Sequence, residues 1–274
     1  MKNILVPTDF SPCSKYAADA ACLLAKRFGA KLHLLTSLDL PQKWDSMTGP
    51  KRLRDAAAQK MIQEAETALS ELGQQCQDVD VATVWVGRGI LAQIQEYVRE
   101  HGIDLIVMGS HGASGKSEYF IGSNTQKVVR TVHCPVLVVK NPLLKLDFKK
   151  VVFASDFSQE AMPPFNYFKE IIKHFVPEIH LVSIYTSPFD KPYPVKIEEM
   201  KPFEDACPPL VCHTHVYSHV SVDHGIRSFA GEIGANLIAI SNHDRHPLSR
   251  MLVGSNVEAL VNHTNLPVLT IDFA

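Results

Sequence analysis

Four segments of this chain occur twice, in the same order. KNILVPTDFS at 2–11 returns as KKVVFASDFS at 149–158, and AKLHLLTSLD at 30–39 returns as PEIHLVSIYT at 177–186. GIDLIVMGSH at 102–111 returns as GANLIAISNH at 234–243, and IGSNTQKVVRTVHCPVLVV at 121–139 as VGSNVEALVNHTNLPVLTI at 253–271. The offset between copies is one ordinary domain, far longer than a solenoid repeat. A tandem duplication follows, and one fold must suit both copies. The two units are expected at 1–143 and 148–274. Their join lies near NPLLKLD at 141–147, where Pro142 and charged residues break the pattern.

Each copy alternates strand and helix. In the first, residues 3–6 form a short apolar run. Ser11 is placed to cap a helix with Pro12 at its first position, and Gly29 to end it. Residues 31–37 form the second strand. Apolar residues at helical spacing over 52–72, ahead of Gly73, indicate one helix. Strands at 79–86, 103–108 and 136–139, and helices at 91–101 and 124–132, complete the unit. Uniformly apolar strands alternating with helices indicate a parallel sheet covered on both faces. In such sheets a ligand sits beyond the carboxyl ends of the strands, where strand order reverses. Pro7-Thr8-Asp9 and the loop after residue 108 share one crevice if the first and fourth strands are neighbours.

That loop, GSHGASGKSEYFIGSNT at 109–125, lies between a strand and a helix. Glycines at 109, 112 and 122 let backbone N–H groups approach an anion, and the following helix adds its positive end. GKS at 115–117 is not a P-loop, because that motif needs glycine at position 110, which is Ser110. Asp9 can accept a hydrogen bond from a ribose hydroxyl or an adenine amino group. It can equally start the turn before the helix, and the repeat keeps it as Asp156.

Composition narrows the partners. There are 27 Lys and Arg against 29 Asp and Glu, a balance that argues against a general nucleic-acid binder. No apolar run is long enough to span a membrane, and MKNILVPTDF is not expected to be a signal peptide. Six scattered cysteines are expected to be reduced, in a cytoplasmic protein.

Together, V-P-T-D-x-S at the start and G-x2-G-x9-G-[ST] at 109–123 resemble the universal stress protein family, and the resemblance covers both copies. It implies two tandem α/β domains, each a five-stranded parallel sheet with helices on both faces (Rossmann-like, of the adenine nucleotide alpha-hydrolase type). It also implies ATP or a related adenine nucleotide, with or without Mg2+, in the first domain. Carried over by position, Pro7, Thr8 and Asp9 lie against adenine and ribose, and Leu38 lines the adenine pocket. Met108, Gly109 and Gly112 edge the ribose and phosphates, and Gly122, Ser123, Asn124 and Thr125 hold the phosphates. His111 either touches the nucleotide or faces solvent. The resemblance further implies pairing through the last strand of each domain. A tandem chain can make that pairing internally as a pseudo-dimer, and a homodimer of whole chains stays open.

The second copy departs from the motif. Ser241 replaces Gly109, Asp244 replaces Gly112, and Pro7-Thr8 becomes Ala154-Ser155. A carboxylate about 4 Å from a phosphate charge costs about 4 kcal/mol at an effective dielectric near 20, on the order of a thousandfold in affinity. Arg245, His246 and Arg250 offset part of that cost. The second domain is therefore expected to be structural or to bind another ligand. His213 and His215 alternate on one strand face. Zinc, with a cysteine or a third histidine, is the lesser interpretation of this pair, and ordinary polar strand residues the favoured one.

Three functions remain: a nucleotide-binding stress or regulatory protein, a slow ATPase, and a nucleotide-free interaction module. The first is favoured. Beyond Asp9, no acidic cluster of the kind that holds a catalytic metal is evident, so no catalytic residue is assigned.

Overall fold

The duplication is built as one continuous sheet. The computed structural model describes residues 1–41, 44, 46–87, 89–111, 121–186, 191–241 and 257–271. The first half supplies β1 (Asn3–Pro7), β2 (Lys31–Ser37), β3 (Val81–Val86), β4 (Leu105–Gly109) and β5 (Val136–Val139). The second supplies β6 (Lys150–Ala154), β7 (Glu178–Tyr185), β8 (Val211–Ser218), β9 (Leu237–Ser241) and β10 (Val268–Ile271). Across the sheet the order is β3-β2-β1-β4-β5-β10-β9-β6-β7-β8. Pairings within each half are parallel. The halves meet through β5 and β10, which pair antiparallel with Leu137 opposite Leu269. The internal pseudo-dimer is thus a property of the backbone.

Eight helices with defined bounds cover the sheet: α1 (Pro12–Phe28), α2 (Gly49–Arg54), α3 (Ala56–Gln74), α4 (Ile90–His101), α5 (Ser123–Thr131), α6 (Met162–Ile172), α7 (Tyr193–Asp205) and α8 (Val222–Ile233). Residues 257–263 are also helical and are called α9. Strand alternation divides the core. Leu32 and Leu34 of β2 pack with Ala17, Ala21 and Leu69 from α1 and α3. Leu35 faces the other way, into the layer that holds Ile94 of α4 and Val128 of α5. Alanines at 17, 18, 20, 21 and 25 form the buried side of α1. Their small side chains let this helix lie close to the strands.

Local chemistry sets the helix limits. The Ser11 side chain accepts from Ser14 N at the start of α1, and Gly29 ends it at φ 63°. The single helix expected over 52–72 is two. Asp55 breaks it, and its carboxylate accepts from Ala58 N at 3.1 Å to cap α3. Nor does Gly73 end the helix: it lies inside α3, and a Cβ there would sit 3.3 Å from Val81 Cγ1. It marks a close approach to β3.

The expectation of six reduced cysteines is overturned. Cys22 is bonded to Cys76 with Cα atoms 5.4 Å apart, and Cys207 to Cys212 at 6.1 Å. Cys13 and Cys134 are free thiols. The pair 22–76 is 54 residues apart in sequence and meets only because α1 and α3 cover the same sheet face. Among the described residues no helix is long and apolar enough to cross a membrane.

Candidate functional site

β1 pairs with both β2 and β4, with Ile4 opposite Leu105 and Leu5 opposite Ile106. Strand order reverses between β1 and β4, so the loops that follow them face a common crevice. A cavity of about 380 Å³ lies there, lined by Pro7, Thr8, Asp9, Met108, Gly109, His111, Gly122, Ser123, Asn124 and Thr125 among others. The volume falls in the range of about 300–1,000 Å³ usual for small-molecule sites. Gly112 lies outside the described residues.

The floor is held by a short polar network. Thr8 is buried, its hydroxyl 3.0 Å from Ser14 Oγ and accepting from Phe10 N at 3.1 Å. Phe10 sits at φ 61°, and its twin Phe157 at φ 57°. That conformation costs a bulky L-residue about 1–3 kcal/mol. It turns the chain sharply between the end of β1 and Ser11. Asp9 is exposed, and its Oδ1 accepts from Ser11 N at 3.1 Å. Asp156 repeats this bond with Ser158 N at 3.0 Å. The structural role of the aspartate is therefore common to both halves.

The α5 side of the cavity has a different logic. Gly122 is the N-cap of α5 and no side chain caps that end, nor is any acidic residue present in the first turn. The first-turn N–H groups of a helix have no partner within the helix, and here they open toward the cavity with the positive end of the dipole. Gly122 N donates to Ser110 O at 2.6 Å, which fixes where the loop re-enters the helix. Thr125 lines the cavity and also braces the scaffold. It is buried, and its hydroxyl donates to Gly109 O at 2.8 Å, tying α5 to β4. His111 is turned inward, with Nδ1 2.6 Å from Ser110 Oγ and 4.0 Å from Cys13 Sγ.

Gly109 has the tightest steric requirement. A Cβ there would lie 2.6 Å from Cys13 C, 2.7 Å from its O and 2.8 Å from Ser14 N. All three are backbone atoms at the start of α1. The twin position carries Ser241, and the segment matching Pro12–Ser14 is a 3-10 turn at Gln159–Ala161 rather than the first turn of an α-helix. The two halves differ in backbone where they differ in this residue. Residues 242–256, which hold Asp244, Arg245, His246, Arg250, Gly254 and Ser255, lie outside the described residues.

Leu38 is corrected. It is buried with Leu40 and Trp44 in a separate small cluster. The β2 side of the cavity is Thr36 and Ser37, with Ser14 and Ile90 completing other walls. Thr36 donates to Thr8 O at 2.8 Å. Sequence reasoning missed these residues, although two consecutive hydroxyls ending an apolar strand were a visible signal.

His213 and His215 join a row of rings on the second half of the sheet. His180 Nδ1 is 3.1 Å from His215 Nε2, and His213 Nε2 is 3.0 Å from Glu178 Oε1. His180 Nε2 lies 3.7 Å from the same Glu178 oxygen. Among the described residues no group of three or more His, Cys, Asp or Glu is arranged to hold a metal. Burial chiefly lowers both His180 and His215 below the ordinary imidazole value, and the nearby His213 adds to each shift. Facing His180 are His213 and His215 from β8, Lys150 from β6 and Glu178 from β7, and Glu178 alone opposes the shift. His33, the twin of His180, is buried and paired with Tyr97 OH at 2.9 Å. With lowered values in the folded state, the unfolded chain binds more protons just below pH 6.5. Stability is thus expected to fall as pH drops through that window. Urea midpoints at pH 7.5 and 5.5 should show it, and His215→Phe should reduce the slope. An unchanged slope in that variant would remove the row as its source.

The comparisons with known proteins agree with this geometry. The model of the Universal stress protein family matches residues 1–140 and again 147–272. Universal stress protein MJ0531 of Methanocaldococcus jannaschii is 31% identical over 149 residues, 52% of this chain and 83% of that protein. Universal stress protein YxiE of Bacillus subtilis is 31% identical over 145 residues, 50% of this chain and 98% of that protein. Each of these relatives thus spans about half of the chain. The crystal structure of a universal stress protein from Archaeoglobus fulgidus aligns with 99% of this chain and 96% of its own, at a TM-score of 0.76 and 21% identity. That likeness gives the fold of the whole tandem. Two family matches that together cover nearly every residue, on a sheet duplicated strand for strand, place this chain in the universal stress protein family.

Proposed function

We propose that the chain is an adenine-nucleotide-binding regulatory protein with one nucleotide site, in the first domain (1–143). The observation that carries this is the uncapped N-terminus of α5 opening on a cavity whose other walls are Pro7, Thr8, Asp9 and Gly109. The donors suit a polyphosphate: first-turn N–H groups of α5 aligned with a helix dipole, without a competing carboxylate in that turn. Asp9 lines the same cavity, where it would meet a ribose or adenine donor. The cavity fits the nucleotide's chemistry, and the chain's part is to bind and orient it. Mg2+, if it accompanies ATP, would be held chiefly by the phosphates. Altered at Ser241 and Asp244, the second domain (148–274) takes a structural role or another ligand.

Calorimetry with ATP should give one site per chain, and mass spectrometry of denatured purified protein should detect adenine nucleotide. Asp9→Asn keeps an oxygen for the Ser11 N–H, so it tests the ligand contact apart from the turn. Loss of one charge-assisted hydrogen bond, about 1.5 kcal/mol, should weaken binding about tenfold. No binding at millimolar ATP would favour an interaction module. Turnover well above background would point to the slow ATPase.

A further inference from the structure

The α5 loop is held from across the domain boundary. Asn262, half-buried on α9 of the second domain, accepts through Oδ1 from the backbone N–H of Ile121. Its own carbonyl accepts from Lys140 Nζ at 3.0 Å. Four residues earlier and on the same helix face, Glu258 pairs with Arg130 of α5. Ile121 directly precedes Gly122, the N-cap whose N–H is bonded to Ser110 O. The second domain therefore reaches both the entry point of α5 and its last turn.

This arrangement is one-way in its chemistry. The twin of Asn262 is Arg130, and the twin of Glu258 is Gln126. Arginine carries donors only and cannot accept from a backbone N–H. Arg130 therefore cannot return the same bond to the second domain.

We propose that the second domain serves as the fixed wall that positions the start of α5 at Ile121 and Gly122, with Asn262 as the positioning residue. Nucleotide binding in the first domain is then coupled to the pairing of the two halves. This rests on the nucleotide assignment of the crevice above. It also gives a reason for keeping a twin whose own loop is altered.

The test uses the full chain with Asn262→Ala, and Glu258→Gln as a second variant. Without nucleotide, hydrogen exchange at the Ile121 amide should quicken about tenfold in Asn262→Ala. With nucleotide, ATP affinity should fall about tenfold while adenosine affinity stays within twofold, because only the phosphates meet the start of α5. Glu258→Gln should weaken ATP less, in the same direction. Unchanged exchange at Ile121, or equal losses for ATP and adenosine, would overturn the proposal. So would wild-type ATP affinity in both variants. A wild-type chain that binds neither ligand would sink the nucleotide assignment and the coupling with it, while the exchange arm would still decide whether Asn262 holds the loop.

Discussion

Gly109→Ala is expected to lose nucleotide binding by about a hundredfold and to destabilise the chain by about 2–3 kcal/mol. The added Cβ would fall 2.6 Å from Cys13 C and 2.8 Å from Ser14 N. Flexible side-chain ends can move aside at small cost, but these are backbone atoms of the first turn of α1. Either α1 or the end of β4 must shift. The shift would reach the start of α5 through two hydrogen bonds. Thr125 Oγ1 is bonded to Gly109 O, and Ser110 O holds the Gly122 N–H. Moving β4's end thus moves the start of α5, and with it the proposed phosphate donors. Two misaligned charge-assisted hydrogen bonds at about 1.5 kcal/mol each amount to roughly a hundredfold in affinity. Calorimetry and urea unfolding measure the two effects separately. A variant with wild-type affinity and stability would show that α1 and β4 do not need this close approach.

Leu137→Asp is expected to give the largest loss of stability. Leu137 is 3% exposed and stands opposite Leu269, also 3% exposed, at the antiparallel junction of the halves. Truncating a buried leucine to alanine costs about 2–5 kcal/mol. Aspartate adds the desolvation of a carboxyl group with no partner at that position, so the total should exceed the alanine value by about 1–3 kcal/mol. Burial raises the new carboxyl's value above its unfolded one. The folded state then binds more protons, and the deficit should shrink as pH falls toward 4. Urea unfolding of Leu137→Ala and Leu137→Asp at pH 7 and 4.5 checks both statements. Equal, pH-independent losses in the two variants would mean that the aspartate escapes to solvent and the junction is looser than described.

Much of the fold was legible because its signals are local. Strand β2 spans 31–37 as its apolar run indicates, and α1 starts at the Ser11 cap and ends at Gly29. Those limits depend on capping and on φ at one glycine, which neighbouring residues decide. The break at Asp55 was harder, because the apolar spacing of helices α2 and α3 runs through it and the cap is a single carboxylate. Leu38 shows what position along the chain leaves open. Its place after β2 is right, but Leu40 and Trp44 give it an apolar neighbourhood away from the cavity. Thr125 shows the same for a side chain drawn to the Gly109 carbonyl.

The sequence by itself determined the duplication, the alternation of strands and helices, and the loop motif at 109–125. All three are written as spacing along the chain, and spacing survives without knowledge of contacts. Only the tertiary structure decided that β1 adjoins β4, that Cys22 meets Cys76, and that Asn262 reaches the Ile121 amide from the other half. These pairs are separated by 54 to 141 residues or join different strands of one sheet. They are set by which faces pack together and by the antiparallel register of β5 and β10, which no local propensity encodes.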